Sequence, residues 1–170
     1  MKGINEEFLS ALKNLAGKRC WGVAAGEGTG SVVALDCGDK IPRDRPLRNV
    51  HLAEDQRRYK AELSLFIWCS WRLDSDTEVI CGATDPNDND GPMINGLMNL
   101  PDRRVESVDA LLPGLDLTLR FDGPFCLRVF CDETNIEDDY ENYSFFTDSR
   151  IYTVNARSVV SYENVLRKAG

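Results

Sequence analysis

Hydrophobic positions near the start of the chain recur at helical spacing. A helix over residues 5–16 is predicted, with Asn5 as its N-cap and Gly17 as its end. Its apolar positions fall on one stripe, so the helix is expected to pack on a core. That stripe consists of Ile4, Phe8, Leu12 and Leu15.

Beyond this helix, apolar and polar positions alternate, which is typical of strands with one buried face. Residues 20–25 and 31–37 are predicted to form a hairpin through the glycine-rich segment 26–30. Two later stretches predict which side chains point inward. The predicted inward set is Leu63, Leu65, Ile67, Cys69 and Trp71, followed by Leu115, Leu117, Leu119 and Phe121.

Two segments, 65–69 and 127–131, share the pattern Leu-x-(Ile/Val)-aromatic-Cys. One interpretation is a duplicated β unit over residues 19–100 and 101–160; the other is chance similarity between two buried strands. In both cases no linker-like stretch divides the chain. We therefore predict a single domain over residues 1–170, of α+β class, mainly antiparallel β with one N-terminal helix.

Composition supports a folded protein, with 42% hydrophobic and 28% charged residues in 170. The polar start and the lack of a long apolar run predict neither a signal peptide nor a membrane span. The six cysteines include no CxxC pair, so they are expected to be reduced and mostly buried in a cytoplasmic protein. Neither a metal nor a cofactor is expected.

The charge is unevenly distributed. The chain has 28 acidic and 20 basic residues, a net charge of −8 that argues against general nucleic-acid binding. Segments 73–91 and 132–141 are acidic without one Lys or Arg. The opposite composition occurs in a predicted insertion, 40–61. Its basic residues are Lys40, Arg43, Arg45, Arg48, Arg57, Arg58 and Lys60.

No catalytic signature is found. The glycine-rich segment 26–31 has neither of the phosphate-loop spacings, and His51 is the only histidine. Residues 85–91 partly resemble a calcium loop, but the glycine is one position late and Gly96 stands where a bidentate Glu is required. The sequence thus predicts a non-enzyme, with weak calcium or small-molecule binding as an alternative.

The acidic segments carry the leading functional hypothesis. We expect them to engage a basic protein partner, with Tyr140 and Tyr143 as aromatic anchors. The functional analogy is with bacterial toxin-immunity proteins, which neutralise basic toxins, although no family motif carries it. The predicted contact residues are Asp85, Asp88, Asp90, Asp138, Asp139 and Tyr140.

A further hypothesis concerns the outward face of segment 63–71, where Phe66 and Trp68 alternate with the inward set. Two large aromatic side chains on that face are either covered by the predicted insertion or by the N-terminal helix, or they form a contact surface. In the second case the chain is a structural or assembly subunit of a homo- or hetero-oligomer.

Overall fold

The structure is a computed structural model that describes residues 3–166. Its helices are α1 (Ile4–Leu12), α2 (Glu54–Arg58) and α3 (Pro92–Leu97). Six strands form the first antiparallel sheet in the spatial order β1 (Cys20–Ala24), β2 (Val33–Pro42), β3 (Tyr59–Ile67), β9 (Glu141–Phe146), β10 (Arg150–Asn155) and β11 (Val160–Asn164). Five form the second, in the order β5 (Val79–Gly82), β4 (Ser70–Asp74), β8 (Cys126–Phe130), β7 (Asp116–Phe121) and β6 (Val105–Leu111). The predicted α+β class with one N-terminal helix is confirmed.

Helix α1 packs on the core as its apolar stripe predicts. Phe8 is fully buried, and its ring lies 5.6 Å from that of Tyr152 in β10. The predicted cap is wrong: Gly3 is the N-cap and Asn5 lies inside the helix, so no side chain accepts from the first turn. A short 3-10 helix, Lys13–Leu15, continues α1, and Gly17 ends this helical segment with a φ of 83°, a conformation that glycine adopts without steric cost.

The alternation of apolar positions predicts the inward faces correctly. Every residue of both predicted inward sets is buried, and one core cluster includes side chains from both sheets. The insertion is shorter than predicted. Strand β2 continues to Pro42 and pairs with β3 from Tyr59, so the excursion covers only residues 43–58.

Each sheet receives strands from both halves of the chain. Strands β1, β2 and β3 lie side by side in the first sheet, and the chain then crosses to β4 and β5 in the second. Strands β6, β7 and β8 lie side by side in the second sheet, and the chain then crosses back to β9 and β10 in the first. The two Leu-x-(Ile/Val)-aromatic-Cys segments each lead into one crossing. Matched strand order alone does not show a duplication, so the repeat stays a prediction.

Both crossings lie at the same end of the molecule, which we call the crossover end. Strand pairing also brings the neighbouring loops and turns there, because Ser70 pairs with Phe130 and Ile67 pairs with Tyr143. The segments of the crossover end are 25–32, 68–69, 83–91, 112–115, 131–140 and 156–159. The opposite end contains 43–58, 75–78, 122–125 and 147–149.

Asn142 in β9 joins two of these segments, 68–69 and 131–140, to Asn155 at the end of β10. It is completely buried, and its backbone carbonyl accepts hydrogen bonds from the N–H groups of Trp68 and Cys69, both at 3.0 Å. Its side-chain oxygen accepts from the Glu133 N–H at 3.0 Å, while its Nδ2 donates to the Asn155 carbonyl at 2.9 Å. One residue therefore ties both crossings to the β10–β11 turn.

We predict that Asn142→Ala lowers the free energy of unfolding by about 3 kcal/mol, because it leaves a backbone donor and a backbone acceptor without their buried partner. Urea denaturation followed by tryptophan fluorescence measures the effect. The exposed Asn89→Ala is the matched control and is expected to change stability by less than about 0.5 kcal/mol. Equal stability of the two variants would contradict the role given to Asn142.

Candidate functional site

Negative charge accumulates at the crossover end. Its segments contain nine acidic residues and one basic residue, Arg157, an excess of eight negative charges. The whole chain, with 28 acidic and 20 basic residues, has the same excess. The acidic residues are Glu27, Asp85, Asp88, Asp90, Asp132, Glu133, Glu137, Asp138 and Asp139. The rest of the chain is therefore balanced in charge.

The 83–91 loop is held by hydrogen bonds from uncharged donors. Asn87 Nδ2 donates to the carbonyls of Gly26 and Gly30, at 2.8 and 2.9 Å, and so joins this loop to the β1–β2 loop. The Asp85 carboxylate accepts from the Gly82 N–H at 2.8 Å. Asp88 and Asp90 are exposed, which leaves their carboxylates directed to solvent.

The 131–140 loop is built in the same way. Asp132 accepts from the backbone and the side chain of Ser70, and Asn135 Nδ2 donates to Asp138 at 2.6 Å. Asp139 and Tyr140 are exposed, Tyr140 by 65%. The prediction for Tyr143 is wrong. It points inward from β9, is fully buried, and donates its hydroxyl to the Leu115 carbonyl at 3.0 Å.

The predicted acidic segment 73–91 is not one surface. Asp74 ends β4 beside the 75–78 hairpin, at the opposite end from residues 83–91. It accepts from Arg72 Nε at 2.7 Å and from Arg128 Nε at 2.9 Å. The hydrogen bond from Arg72, with a further contribution from Arg128, lowers the pKa of Asp74. This carboxylate is neutralised within the fold.

The basic insertion is also compensated in part. Lys40 Nζ lies 2.6 Å from Asp55 and stands over the ring of Trp21, while Arg58 pairs with Glu54 at 2.8 Å. None of the seven ion pairs found among residues 3–166 contains a carboxylate from loop 83–91 or loop 131–140. The charge of the crossover end is thus left for solvent or a partner.

A groove of about 390 Å³ separates residues 136–141 from the β10–β11 turn. Three large apolar side chains on its walls are exposed: Ile136 by 69%, Tyr140 by 65% and Val159 by 61%. Asp138, Asp139 and Glu141 also line it, with Asn155 and Ala156. We call this feature the crossover groove.

The predicted contact residues form two groups. The crossover groove brings together Asp138, Asp139 and Tyr140. Loop 83–91, which contains Asp85, Asp88 and Asp90, follows β5 at the same end of the molecule. In the second sheet β5 lies two strand positions from β8, a separation of about 10 Å. Sequence reasoning missed Ile136 and Val159. The available signal was an isolated apolar residue, Ile136, inside a run of polar and acidic ones.

Phe66 and Trp68 lie on the outer side of the first sheet. Phe66 is half-buried opposite Ala34 and Ser144, and its ring lies 4.9 Å from that of Trp68. Trp68 remains 38% exposed. The N-terminal helix, one of the elements expected to cover these residues, packs instead on the inward side chains Tyr143 and Tyr152.

The six cysteines are free thiols, five buried and Cys131 half-buried. A hydrogen bond with Cys131, together with burial, raises the pKa of Cys69, and burial raises the pKa of Cys81 to about 11. Both stay protonated at neutral pH, which disfavours nucleophilic chemistry.

Within residues 3–166, no three or more His, Cys, Asp or Glu side chains are arranged to hold a metal ion.

Comparison with known proteins finds no matching family, no similar curated protein and no similar solved structure. In the described part of the chain, none of the helices is both long and apolar enough to cross a membrane.

We predict that the contribution of Asp74 to stability depends on pH. Its folded-state pKa is below the ordinary 3.8, so the carboxylate stabilises the fold above that value and the contribution is lost as pH falls through the folded-state pKa. Asp74→Asn should cost about 1 kcal/mol at neutral pH and progressively less in acid. Urea denaturation of the variant and the wild-type protein, at neutral pH and in acid, measures this difference in stability. A penalty that grows in acid would contradict the assignment; Asp76→Asn, at an exposed position, is the control.

Proposed function

We propose that the chain is a non-enzymatic cytoplasmic binding protein whose crossover end engages a basic protein partner, in functional analogy to toxin-immunity proteins. The observation that carries the proposal is the collection of the chain's whole charge excess at one end, where the carboxylates of loops 83–91 and 131–140 take part in none of the ion pairs found among residues 3–166. Carboxylates that no cation of the fold neutralises favour association with a positively charged surface.

The composition of the crossover end also resembles that of a protein interface. Tyr140 and Ile136 place apolar area among the carboxylates, and protein interfaces commonly combine an apolar centre with a polar rim. Asn87 ties the 83–91 loop to the β1–β2 loop and Asn142 ties the 131–140 loop to β9, which reduces the conformational entropy that binding must remove.

We expect the triple variant Asp88→Asn, Asp90→Asn, Asp139→Asn to slow association with an immobilised Lys- and Arg-rich peptide roughly tenfold at low salt, because it removes steering charge. These residues are exposed and make no ion pair or hydrogen bond through their carboxylates that the fold requires. Surface plasmon resonance over a range of salt concentrations measures the rate.

The matched control is Asp44→Asn, Asp76→Asn, Glu78→Gln, which changes the net charge equally at the opposite end of the molecule. This control should associate at nearly the wild-type rate. If both triple variants lose the same fraction of the rate, or if the wild-type protein does not bind the peptide, the proposal is wrong.

A second candidate function is assembly through the outer face of the first sheet, favoured by the contact of Phe66 with the 38% exposed Trp68. Burial of such an aromatic pair in an interface is favourable. We predict that the sedimentation coefficient of the wild-type protein rises with concentration and that Trp68→Ser abolishes the rise. A wild-type monomer at all concentrations would exclude self-assembly.

A further inference from the structure

The crossover groove has walls of different chemistry. Ile136, Tyr140 and Val159 supply exposed apolar surface, and Asp138, Asp139 and Glu141 supply carboxylates. No Lys or Arg is among the residues that line it. Exposed apolar area of this kind marks binding sites more often than it serves stability.

The two walls are fixed in position by buried or locally paired amides. Asn142 Nδ2 donates to the Asn155 carbonyl at 2.9 Å, and Asn155 Nδ2 donates to the Val159 carbonyl at 3.0 Å and to Ser161 Oγ at 2.8 Å. On the facing wall, Asn135 accepts from the Glu137 N–H at 3.1 Å and donates to Asp138. The groove is therefore formed before any ligand arrives.

The single arginine of the crossover end does not neutralise the groove. Arg157 donates from its backbone N–H to the Glu133 carbonyl at 3.0 Å and from Nε to the Thr134 carbonyl at 3.1 Å. Both acceptors belong to the start of the 131–140 loop, and neither is a carboxylate. Its guanidinium thus holds the loop and leaves Asp139 without an ion pair.

We propose that the crossover groove receives an arginine side chain from an extended segment of the basic partner, an inference that rests on the proposed function. An arginine has an aliphatic stem that matches Ile136 and Val159, and a planar guanidinium that stacks on an aromatic ring such as Tyr140. Its fork of donors also matches a carboxylate in bidentate geometry, as Asp139 or Glu141 offers. Lysine fulfils only part of these requirements.

The test uses the peptide acetyl-Ala-Leu-Arg-Leu-Ala-amide and two counterparts in which the arginine is replaced by lysine or by citrulline, its neutral isostere. Isothermal titration calorimetry should give the tightest binding for the arginine peptide, weaker binding for lysine and none for citrulline. In ¹⁵N-resolved NMR spectra, the perturbed amides should be those of residues 136–141 and 155–159. Equal binding of arginine and citrulline peptides, or perturbation confined to residues 83–91, overturns the inference.

Variants locate the contacts further. Tyr140→Ala is expected to weaken binding of the arginine peptide about fivefold, while Tyr140→Phe retains the ring and the affinity. Ile136→Ser should weaken it as well. Val79→Ser is the matched control, because Val79 is an apolar residue that is 59% exposed and lies outside the groove. This variant should leave the affinity for the arginine peptide unchanged. Unchanged affinity in Tyr140→Ala and Ile136→Ser overturns the inference.

The same measurements separate this inference from the function on which it rests. Asp88→Asn, Asp90→Asn alters the crossover end outside the groove, so it should slow association with the Lys- and Arg-rich peptide while the affinity of the short arginine peptide stays close to wild type. Charge-dependent association that is insensitive to Tyr140 and Ile136 overturns the arginine groove but leaves the proposed function standing. Absence of any charge-dependent association overturns both.

Discussion

The hydrogen bonds of the buried Asn142 are the contacts on which the crossover end depends. Where the chain leaves one sheet for the other, its backbone groups lose their strand partners and need others. The Asn142 carbonyl accepts hydrogen bonds from the N–H groups of both Trp68 and Cys69. The Asn142 side chain accepts from the Glu133 N–H and donates to the Asn155 carbonyl. Because Asn142 is buried and shares its bonds among these segments, the crossings and the β10–β11 turn are held as one unit.

Most of the hydrogen bonds that hold these loops come from uncharged donors, and this has an electrostatic consequence. Nine carboxylates at one end repel one another, and ion pairs within the fold would relieve that repulsion. The opposite end uses such pairs, as Asp74 does with Arg72 and Arg128. At the crossover end, amides such as Asn87 take their place. The loops are therefore ordered while most of their charge remains exposed.

The apolar walls of the crossover groove follow from local turn geometry. Asn135 bonds to residues 137 and 138, so Ile136 stands at the tip of a tight turn and cannot reach the core. Opposite it, Arg157 and Ser158 have φ angles of 56° and 58°, and this left-handed pair turns the chain before Val159. These backbone conformations leave Ile136 and Val159 exposed, in a groove that Asp138, Asp139 and Glu141 also line.

The order of apolar and polar residues by itself determined the class of the fold, the inward set of 63–71 and of β7, and the packing of α1, because side-chain alternation and helical spacing are local properties. It also located the acidic residues. Sequence position did not reveal that Asp74 and Asp88 lie at opposite ends, that Tyr143 is buried, or that Ile136 meets Val159 across a groove. Those relations depend on which strands pair and where the chain crosses between sheets, so only the tertiary structure decided them.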